Sequence, residues 1–146
     1  MPSWVQAGFS EYQKRLSHAF SFELKEIPAQ KRSKSSDLAR ILTQEGEALL
    51  AAIPKDDICV VLDVAGQGWS TETLAVQLQK WQHSGQNISL VIGGPEGLSA
   101  HVYQRANLRW SLSKLTFPHP LVRVIIAEQL YRAWSILSHH PYHRGE

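Results

Sequence analysis

The stretch from Asn87 to Ser99, NISLVIGGPEGLS, constrains the fold of this chain more than any other part of the sequence. Ile88, Leu90, Val91 and Ile92 form a short apolar run in it, which is typical of a strand buried on both faces of a sheet. The run stops at the turn Gly93–Gly97, and Ser99 is a suitable N-cap for a following helix. A strand, a glycine turn and a helix in this order form the ligand crevice of open α/β sheets, at the carboxyl ends of the strands.

The glycines of this turn have two interpretations. Without a Cβ, Gly93 and Gly94 let backbone N–H and C=O groups approach a ligand closely. Alternatively, the turn requires glycine only because its backbone adopts a positive φ. Taken alone, the turn favours the second, purely structural interpretation, so the decision depends on the rest of the chain.

A second glycine pair, Gly66 and Gly68, follows the apolar run Ile58–Val64 and invites comparison with dinucleotide-binding folds. The fingerprint of those folds requires a third glycine three residues after Gly68, and Thr71 occupies that position. The sequence also contains no GxxxxGK pattern followed by Ser or Thr. NAD and nucleoside triphosphates are therefore poor candidates for a ligand.

Hydrophobic periodicity and turn residues predict the remaining elements. The predicted helices cover Val5–Leu16, a segment from Ser35 or Ser36 to Pro54, Thr71–His83, a short segment from Ser99, and a long segment from Pro120. The further predicted strands cover Phe22–Ile27, Ile58–Val64 and Leu108–Leu112. This order predicts an α/β fold, an open and largely parallel sheet with helices on both faces, and residues 1–146 are predicted to form one domain.

Composition narrows the class of protein. No apolar run approaches the roughly 18 residues that span a membrane, and the first residues lack the features of a signal peptide, so a cytoplasmic protein is predicted. The single cysteine, Cys59, lies in an apolar run and is predicted to be a buried, inert thiol. The net charge is only +2. The basic residues Lys31, Arg32 and Lys34 form either a solvated face or a site for RNA phosphates.

The C-terminal part combines an apolar helix with a basic, aromatic tail. The helix from Pro120 is apolar over much of its circumference, which predicts a subunit interface. The tail that follows, HHPYHR, ends at Arg144. Like the basic loop, it has the residue types that bind phosphates in RNA-modifying enzymes.

Long motifs in the second half of the chain carry a resemblance to a known family. They are LVIGGPEGLS, WSLSKLTFPHPLVRVIIAEQLYRAWSI and the terminal HPYHR, and the segments MPSWVQAGFSEY, FELKEIPAQKR and LARILTQEGEALLAA add to them. The chain resembles the bacterial ribosomal large-subunit methyltransferase H family (RlmH) over nearly its whole length. That family belongs to the SPOUT class of S-adenosylmethionine-dependent RNA methyltransferases.

The resemblance implies a fold and a function. The fold would be an α/β sheet whose C-terminal segment forms a trefoil knot, an exception to unknotted topology. The protein would be a homodimer that methylates N3 of pseudouridine 1915 in the helix-69 loop of 23S rRNA, on assembled ribosomes. Two alternatives stay open, namely a SPOUT methyltransferase acting on another rRNA or tRNA nucleotide and a non-catalytic ribosome-binding protein.

The resemblance also assigns residues to the binding of S-adenosylmethionine. These are two residues at the end of a buried strand, two glycines of the turn and one loop: Leu62, Asp63, Gly93, Gly94, Ser113, Lys114, Leu115, Thr116, Phe117 and Pro118. A flat adenine fits a slot of apolar side chains and exposed backbone, which small residues and loops provide.

Four residues near the C-terminus are the candidates for catalysis. Arg132 would hold a phosphate or the developing uracil oxyanion, and Tyr142 would stack on or hydrogen-bond the base. His143 would act as general base and Arg144 as phosphate clamp. The alternatives are an ion pair of Arg132 with Glu128, a frayed tail, and proton transfer to solvent.

The histidines of the tail do not predict a metal site. The spacing of His139, His140 and His143 fits no common metal motif, and the sequence has no cysteine beside them to act as an additional ligand. We therefore predict no metal.

The start of the chain departs from the family pattern. Family members usually have a short apolar strand before the M-P-x-W-V segment, whereas this chain starts at Met1 and Pro2. A misassigned start codon would account for the difference. We expect a chain without that strand to be less stable, because a neighbouring strand lacks a partner. The candidate site would be little affected, since its residues all lie later in the sequence.

Overall fold

The computed structural model describes residues 1–28, 37–94 and 96–144. The basic loop with Lys31, Arg32 and Lys34 lies outside these residues, as do Ser35 and Ser36. The elements in chain order are α1 (Ser3–Leu16), α2 (Leu38–Ala52), β1 (Ile58–Gly68), α3 (Thr71–Ser84), β2 (Ile88–Ile92), α4 (Ala100–Arg105), β3 (Leu108–Ser111) and α5 (His119–Leu137).

The chain divides into two compact units. The helical unit consists of Met1–Leu24, Gly68–Gly85 and Leu115–Glu146, and contains α1, α3 and α5. The sheet unit consists of Lys25–Gln67 and Gln86–Lys114, and contains the strands with α2 and α4.

The sheet unit is built on three strands in the order β2-β1-β3. β1 and β2 run parallel, in a register from Ile58 opposite Ile88 to Leu62 opposite Ile92. A buried cluster of Cys59, Val61, Val91 and Val102 forms its core, to which α2 and α4 add apolar side chains. The predicted α/β fold with a parallel sheet is confirmed, and Cys59 is buried as predicted.

The order of the strands corrects the prediction for β2. It was expected to be buried on both faces, but only Val91 in it is buried and its other residues are half-buried. β2 lies at one side of the three-stranded sheet, whereas β1 lies in the middle. The fully buried residues are accordingly in β1, where Cys59, Val60 and Val61 have no exposed surface.

The predicted strand Phe22–Ile27 is wrong, since these residues form neither strand nor helix. The Phe22 ring packs against Phe9 of α1, with the ring centroids 5.2 Å apart. Its carbonyl accepts a hydrogen bond from Gln13 Nε2 at 2.6 Å. Contacts with the preceding helix thus take the place of strand pairing.

The ends of the helices follow capping chemistry. The N-cap of α2 is Asp37, rather than Ser35 or Ser36, because its carboxylate accepts from the N–H groups of Ala39 and Arg40 at 3.0 and 3.3 Å. Ser70 caps α3 through the N–H of Thr73 at 3.1 Å. Gly85 closes α3 in the left-handed conformation, with φ +73°, which glycine adopts at little cost.

The helical unit is organised around α5, which packs against α1 and α3. These contacts bury Ala127, Leu130 and Ala133 of α5. Part of the apolar circumference that predicted a subunit interface is therefore covered within the unit, while Leu121–Ile125 remains half-buried. No helix in the described ranges combines the length and hydrophobicity needed to cross a membrane.

Candidate functional site

The carboxyl end of β2 lies beside the middle of β1 and brings two of the predicted cofactor segments together. Leu62 of β1 pairs with Ile92, the last residue of β2, so the next residues are Asp63 within β1 and Gly93 after β2. Leu62, Asp63 and Gly93 are half-buried, and Gly94 is exposed. The residues predicted to line the crevice thus occupy adjacent positions where β2 ends, whereas β1 continues past them to Gly68.

The glycine turn has its positive φ in a different place from the one expected. Gly97 has φ +84°, while neither Gly93 nor Gly94 has a positive φ. The N–H of Gly97 donates to the carbonyl of Gly94 at 3.0 Å and closes the turn. Backbone conformation therefore explains the glycine at 97, but not the glycines at 93 and 94.

Gly93 and Gly94 differ in the space around them. A Cβ on Gly93 would stand 3.0 Å from Leu98 Cγ and 3.2 Å from the backbone of Gly97, so tight packing favours glycine there. A Cβ on Gly94 would meet nothing within 4 Å among the described residues. Neither a contact with the described residues nor a positive φ requires glycine at position 94.

Two side chains that the sequence did not indicate lie near Asp63. The guanidinium of Arg109 stands over the ring of Tyr103, 4.3 Å from its centroid. Burial raises the pKa of the Tyr103 hydroxyl, and the negative charge of Asp63 raises it further. Tyr103 therefore stays protonated and can donate a hydrogen bond at this edge of the sheet.

The predicted cofactor loop starts at the end of β3. The buried Ser111 donates its hydroxyl hydrogen to the carbonyl of Ser113 at 2.9 Å, which fixes the start of the loop in the sheet unit. Lys114 is exposed. In the helical unit, Leu115 is 68% exposed, which is unusual for leucine, and Phe117 is half-buried. Thr116 and Pro118 are exposed, and Pro118 is the N-cap of α5.

Three of the four predicted catalytic residues meet in the helical unit. His143 Nδ1 lies 3.1 Å from Arg132 Nη1. The Arg132 guanidinium also stands over the ring of Tyr142, 4.8 Å from its centroid. Arg132, Tyr142 and His143 are half-buried, whereas Arg144 is exposed. The tail is thus packed on α5 as far as His143.

Glu128 is the centre of this group of side chains, which we call the tail cluster (Tyr12, Glu72, Glu128, Arg132, Tyr142 and His143). It forms an ion pair with Arg132, which the sequence predicts as the alternative to a catalytic role, at 3.0 Å between Oε2 and Nη2, and both side chains are less than one fifth exposed. The Tyr142 hydroxyl donates to the same Oε2 at 3.0 Å, and Gln129 Nε2 donates to Oε1 at 2.8 Å. A carboxylate that accepts several hydrogen bonds is a strong and directional anchor.

Residues of α1 and α3 complete the cluster. The hydroxyl of Tyr12 lies 3.3 Å from that of Tyr142, and Glu72 Oε1 lies 3.2 Å from His143 Nε2. Burial raises the pKa of Tyr142, and Tyr12 and Glu128 raise it further. Tyr142 is therefore a hydrogen-bond donor and not a base at neutral pH.

Aromatic rings also contact the tail, in addition to these hydrogen bonds. Tyr131 stacks on Trp134 with centroids 5.6 Å apart, and meets Tyr142 edge-on at 4.6 Å. The Arg15 guanidinium lies 5.2 Å from the ring of Tyr12 and 5.5 Å from that of Tyr131. Such contacts restrict the position of Tyr142 in addition to its hydrogen bond.

Two further findings concern metal binding and the family to which the chain belongs. In the described part of the chain no three histidine, cysteine or acidic side chains are grouped to hold a metal ion. A family model described as "Predicted SPOUT methyltransferase" matches residues 1–143. The match supports a methyltransferase, with S-adenosylmethionine as methyl donor and RNA as substrate class. The chain belongs to the SPOUT methyltransferase family.

Proposed function

We propose that this protein methylates N3 of pseudouridine 1915 in the helix-69 loop of 23S rRNA, on assembled ribosomes, as the resemblance to the RlmH family implies. The observation that carries the proposal is that Leu62 and Asp63 of β1 lie beside the end of β2, where the glycine turn begins and Gly94 has open space around it among the described residues. Glycine with open space beside it allows close approach of a ligand to the backbone.

The donor would be held by residues of β1, of the turn after β2 and of the loop after β3. Leu62, Asp63, Gly93 and Gly94 would contribute one side of the slot, and the loop Ser113–Pro118 the other. When bound, S-adenosylmethionine supplies a methyl group already activated on a sulfonium. The protein therefore has to orient the acceptor and to exclude water.

The acceptor would be held by the tail cluster. N3 of pseudouridine carries an imide proton that has to be lost before or during methyl transfer, and its loss places negative charge on the uracil ring until the methyl group is bound. The Arg132 guanidinium, oriented by Glu128, would stabilise this charge. Tyr142, which stays protonated, would donate a hydrogen bond to the base or stack on it. The exposed Arg144 would bind a phosphate.

We further propose a homodimer through α5 and the knot region, in which the tail of one subunit completes the acceptor site of the other. A mixture of a Gly94→Ala chain with an Arg144→Ala chain should then regain part of the activity, since one site per dimer contains neither change. Methyl transfer to 23S rRNA would be measured in the mixture and in each variant alone. A mixture as inactive as its components would show that each site is built from one chain.

Two neighbouring glycines test the donor site. Gly94→Ala should leave the melting temperature unchanged and weaken S-adenosylmethionine binding at least about tenfold, because a methyl group would fill space that the ligand uses. Gly93→Ala should lower the melting temperature, because its Cβ meets Leu98 and Gly97 in the free protein. Calorimetric titration with S-adenosylmethionine measures the binding. Absence of binding by the unmodified protein would favour a non-catalytic ribosome-binding protein.

The substrate requires a separate experiment. Ribosomes that lack the modification should accept a methyl group from labelled S-adenosylmethionine, and naked 23S rRNA should be a much poorer acceptor. Mapping of the label should locate it on the pseudouridine of the helix-69 loop. Label on another rRNA or tRNA nucleotide would retain the family activity and contradict the proposed target.

A further inference from the structure

His143 lies between two charged side chains that come from different helices. Its Nδ1 is 3.1 Å from Nη1 of Arg132 on α5, and its Nε2 is 3.2 Å from Oε1 of Glu72 on α3. Glu128 and Tyr142 belong to the same network through Arg132. The imidazole thus connects the first turn of α3 to the guanidinium of the candidate catalytic arginine.

The chemistry of the two partners fixes the proton of the ring. A guanidinium only donates hydrogen bonds, so Nδ1 of His143 has to be the acceptor. The ring proton is then on Nε2, where it donates to the Glu72 carboxylate, which only accepts. The pKa of Glu72 is lowered, first by its own backbone N–H and then by His143, so this acceptor is ionised at neutral pH.

We propose that Glu72 is a positioning residue that acts through His143. By accepting the Nε2 proton it holds the ring in the tautomer whose Nδ1 orients Arg132. The proposal rests on the proposed function, in which Arg132 stabilises charge on the acceptor base. In this arrangement neither ring nitrogen is available to take the N3 proton, so His143 positions Arg132 and is not the general base.

The position of Glu72 explains why it is suited to this role. It lies in the first turn of α3, next to the N-cap Ser70, where a negative charge is stabilised by the helix dipole. Glu128 holds Nε and Nη2 of Arg132, and His143 contacts Nη1. The guanidinium is therefore held by Glu128 on one edge and by His143 at Nη1. Only the contact with His143 depends on Glu72.

The tautomer is measured directly by nitrogen NMR of the protein labelled at histidine. We expect the resonances of the neutral Nε2–H form for His143 in the unmodified protein. Glu72→Gln retains an oxygen that accepts and should keep this form, whereas Glu72→Ala should give a mixture of tautomers. An Nδ1–H form in the unmodified protein, or a spectrum unchanged by Glu72→Ala, would overturn the proposal whether or not the protein transfers methyl groups.

Methyl transfer gives the second measurement. Glu72→Ala should lower kcat about tenfold, the effect of one hydrogen bond to a charged group, and leave the KM for S-adenosylmethionine unchanged. The kcat of Glu72→Gln should stay within about twofold of that of the unmodified protein, because the amide oxygen still accepts the hydrogen bond. If the unmodified protein is inactive on RNA, the proposed function fails, while the NMR measurement still decides the role of Glu72.

Two variants separate this role from the alternatives. Glu72→Ala combined with Thr73→Glu restores a carboxylate to the first turn as a capping box, but away from His143. It should remain as impaired as Glu72→Ala, and recovery would assign the effect to helix stability and overturn the proposal.

His143→Asn tests the role of the imidazole itself. The variant retains an acceptor for Arg132, and its kcat should fall about tenfold, whereas loss of a general base lowers kcat roughly 100-fold or more. A loss of that size would make His143 the base.

Discussion

The two units contain candidate functional regions that are built in opposite ways. In the sheet unit, β1 and the turn after β2 depend on side chains that are absent, because glycine occupies positions 66, 93 and 94. In the helical unit, the tail cluster depends on side chains that are present, because Arg132, Glu128 and Tyr142 bind one another.

The difference shows how each region responds to substitution. A glycine against backbone cannot accept even one methyl group, since the neighbouring atoms have no alternative rotamers. A polar cluster tolerates extra volume better, but loses stability when one partner is removed and the other stays buried. Adding atoms should therefore damage the sheet unit most, and removing polar atoms should damage the helical unit most.

The largest effect is expected at Gly66. Its Cβ would stand 2.8 Å from the backbone of Arg109 and Trp110, where only a shift of β3 makes room. Gly66→Ala should lower the free energy of unfolding by about 3 kcal/mol or more. Gly68→Ala is the matched control, since its Cβ meets nothing within 4 Å among the described residues, and should change stability by less than about 0.5 kcal/mol. Urea unfolding compares the two variants. Equal losses would contradict the close backbone approach at Gly66.

The next effect concerns Glu128 in the tail cluster. Glu128→Ala leaves Arg132, which is 15% exposed, without its ion pair. The expected loss is about 2 kcal/mol, below the value for a fully buried pair because some solvent reaches both side chains. Glu47→Ala on the exposed face of α2 serves as the control and should be nearly neutral. If both variants unfold at the same urea concentration, the cluster does not stabilise the unit.

A smaller effect, and one that changes sign, is expected at Gly46 of α2. A Cβ there would overlap the hydroxyl of Ser99 and stand 3.0 Å from its Cβ. Gly46→Ala should lower the free energy of unfolding by about 1 kcal/mol. This net loss already includes the gain of roughly 1 kcal/mol from the better helix propensity of alanine. In a Ser99→Gly background the overlap is gone, and the same change should stabilise. Thermal unfolding of the four combinations tests this, and a loss in both backgrounds would place the obstacle elsewhere.

Much of the fold was predictable because its signals are local. The predicted strand before Gly66 and the predicted helix from Thr71 each depend on a few neighbouring residues, and the structure confirms them. The pairing of Arg132 with Glu128 is equally local, since four residues separate them on one helix. What local pattern did not provide was strand order, so β2 was assigned the burial that belongs to β1.

The surroundings of the candidate site were less predictable because they join distant segments. Tyr12 meets Tyr142 across 130 residues of sequence, and Glu72 meets His143 across 71. Neither Tyr12 nor Glu72 belongs to a motif that marks it as a partner of the tail. Only the packing of α1 and α3 on α5 brings them there. Gly93 and Gly94 illustrate the converse, because the sequence marked both but did not show that only one is packed.

The smallest effect tests the hydrogen bond of Tyr142 through its dependence on pH. Tyr142→Phe removes the donor to Glu128 and should cost about 1 kcal/mol at pH 7. The pKa of Tyr142 is raised above its ordinary value of 10.0, so above pH 10 the unfolded chain loses a proton that the folded chain retains. Stability then falls as pH rises. The variant lacks this contribution, so its deficit should shrink between pH 8 and pH 11 in urea unfolding followed by tryptophan fluorescence. A deficit that stays constant over this range would mean that the tyrosine hydroxyl is as free to ionise in the folded protein as in the unfolded one.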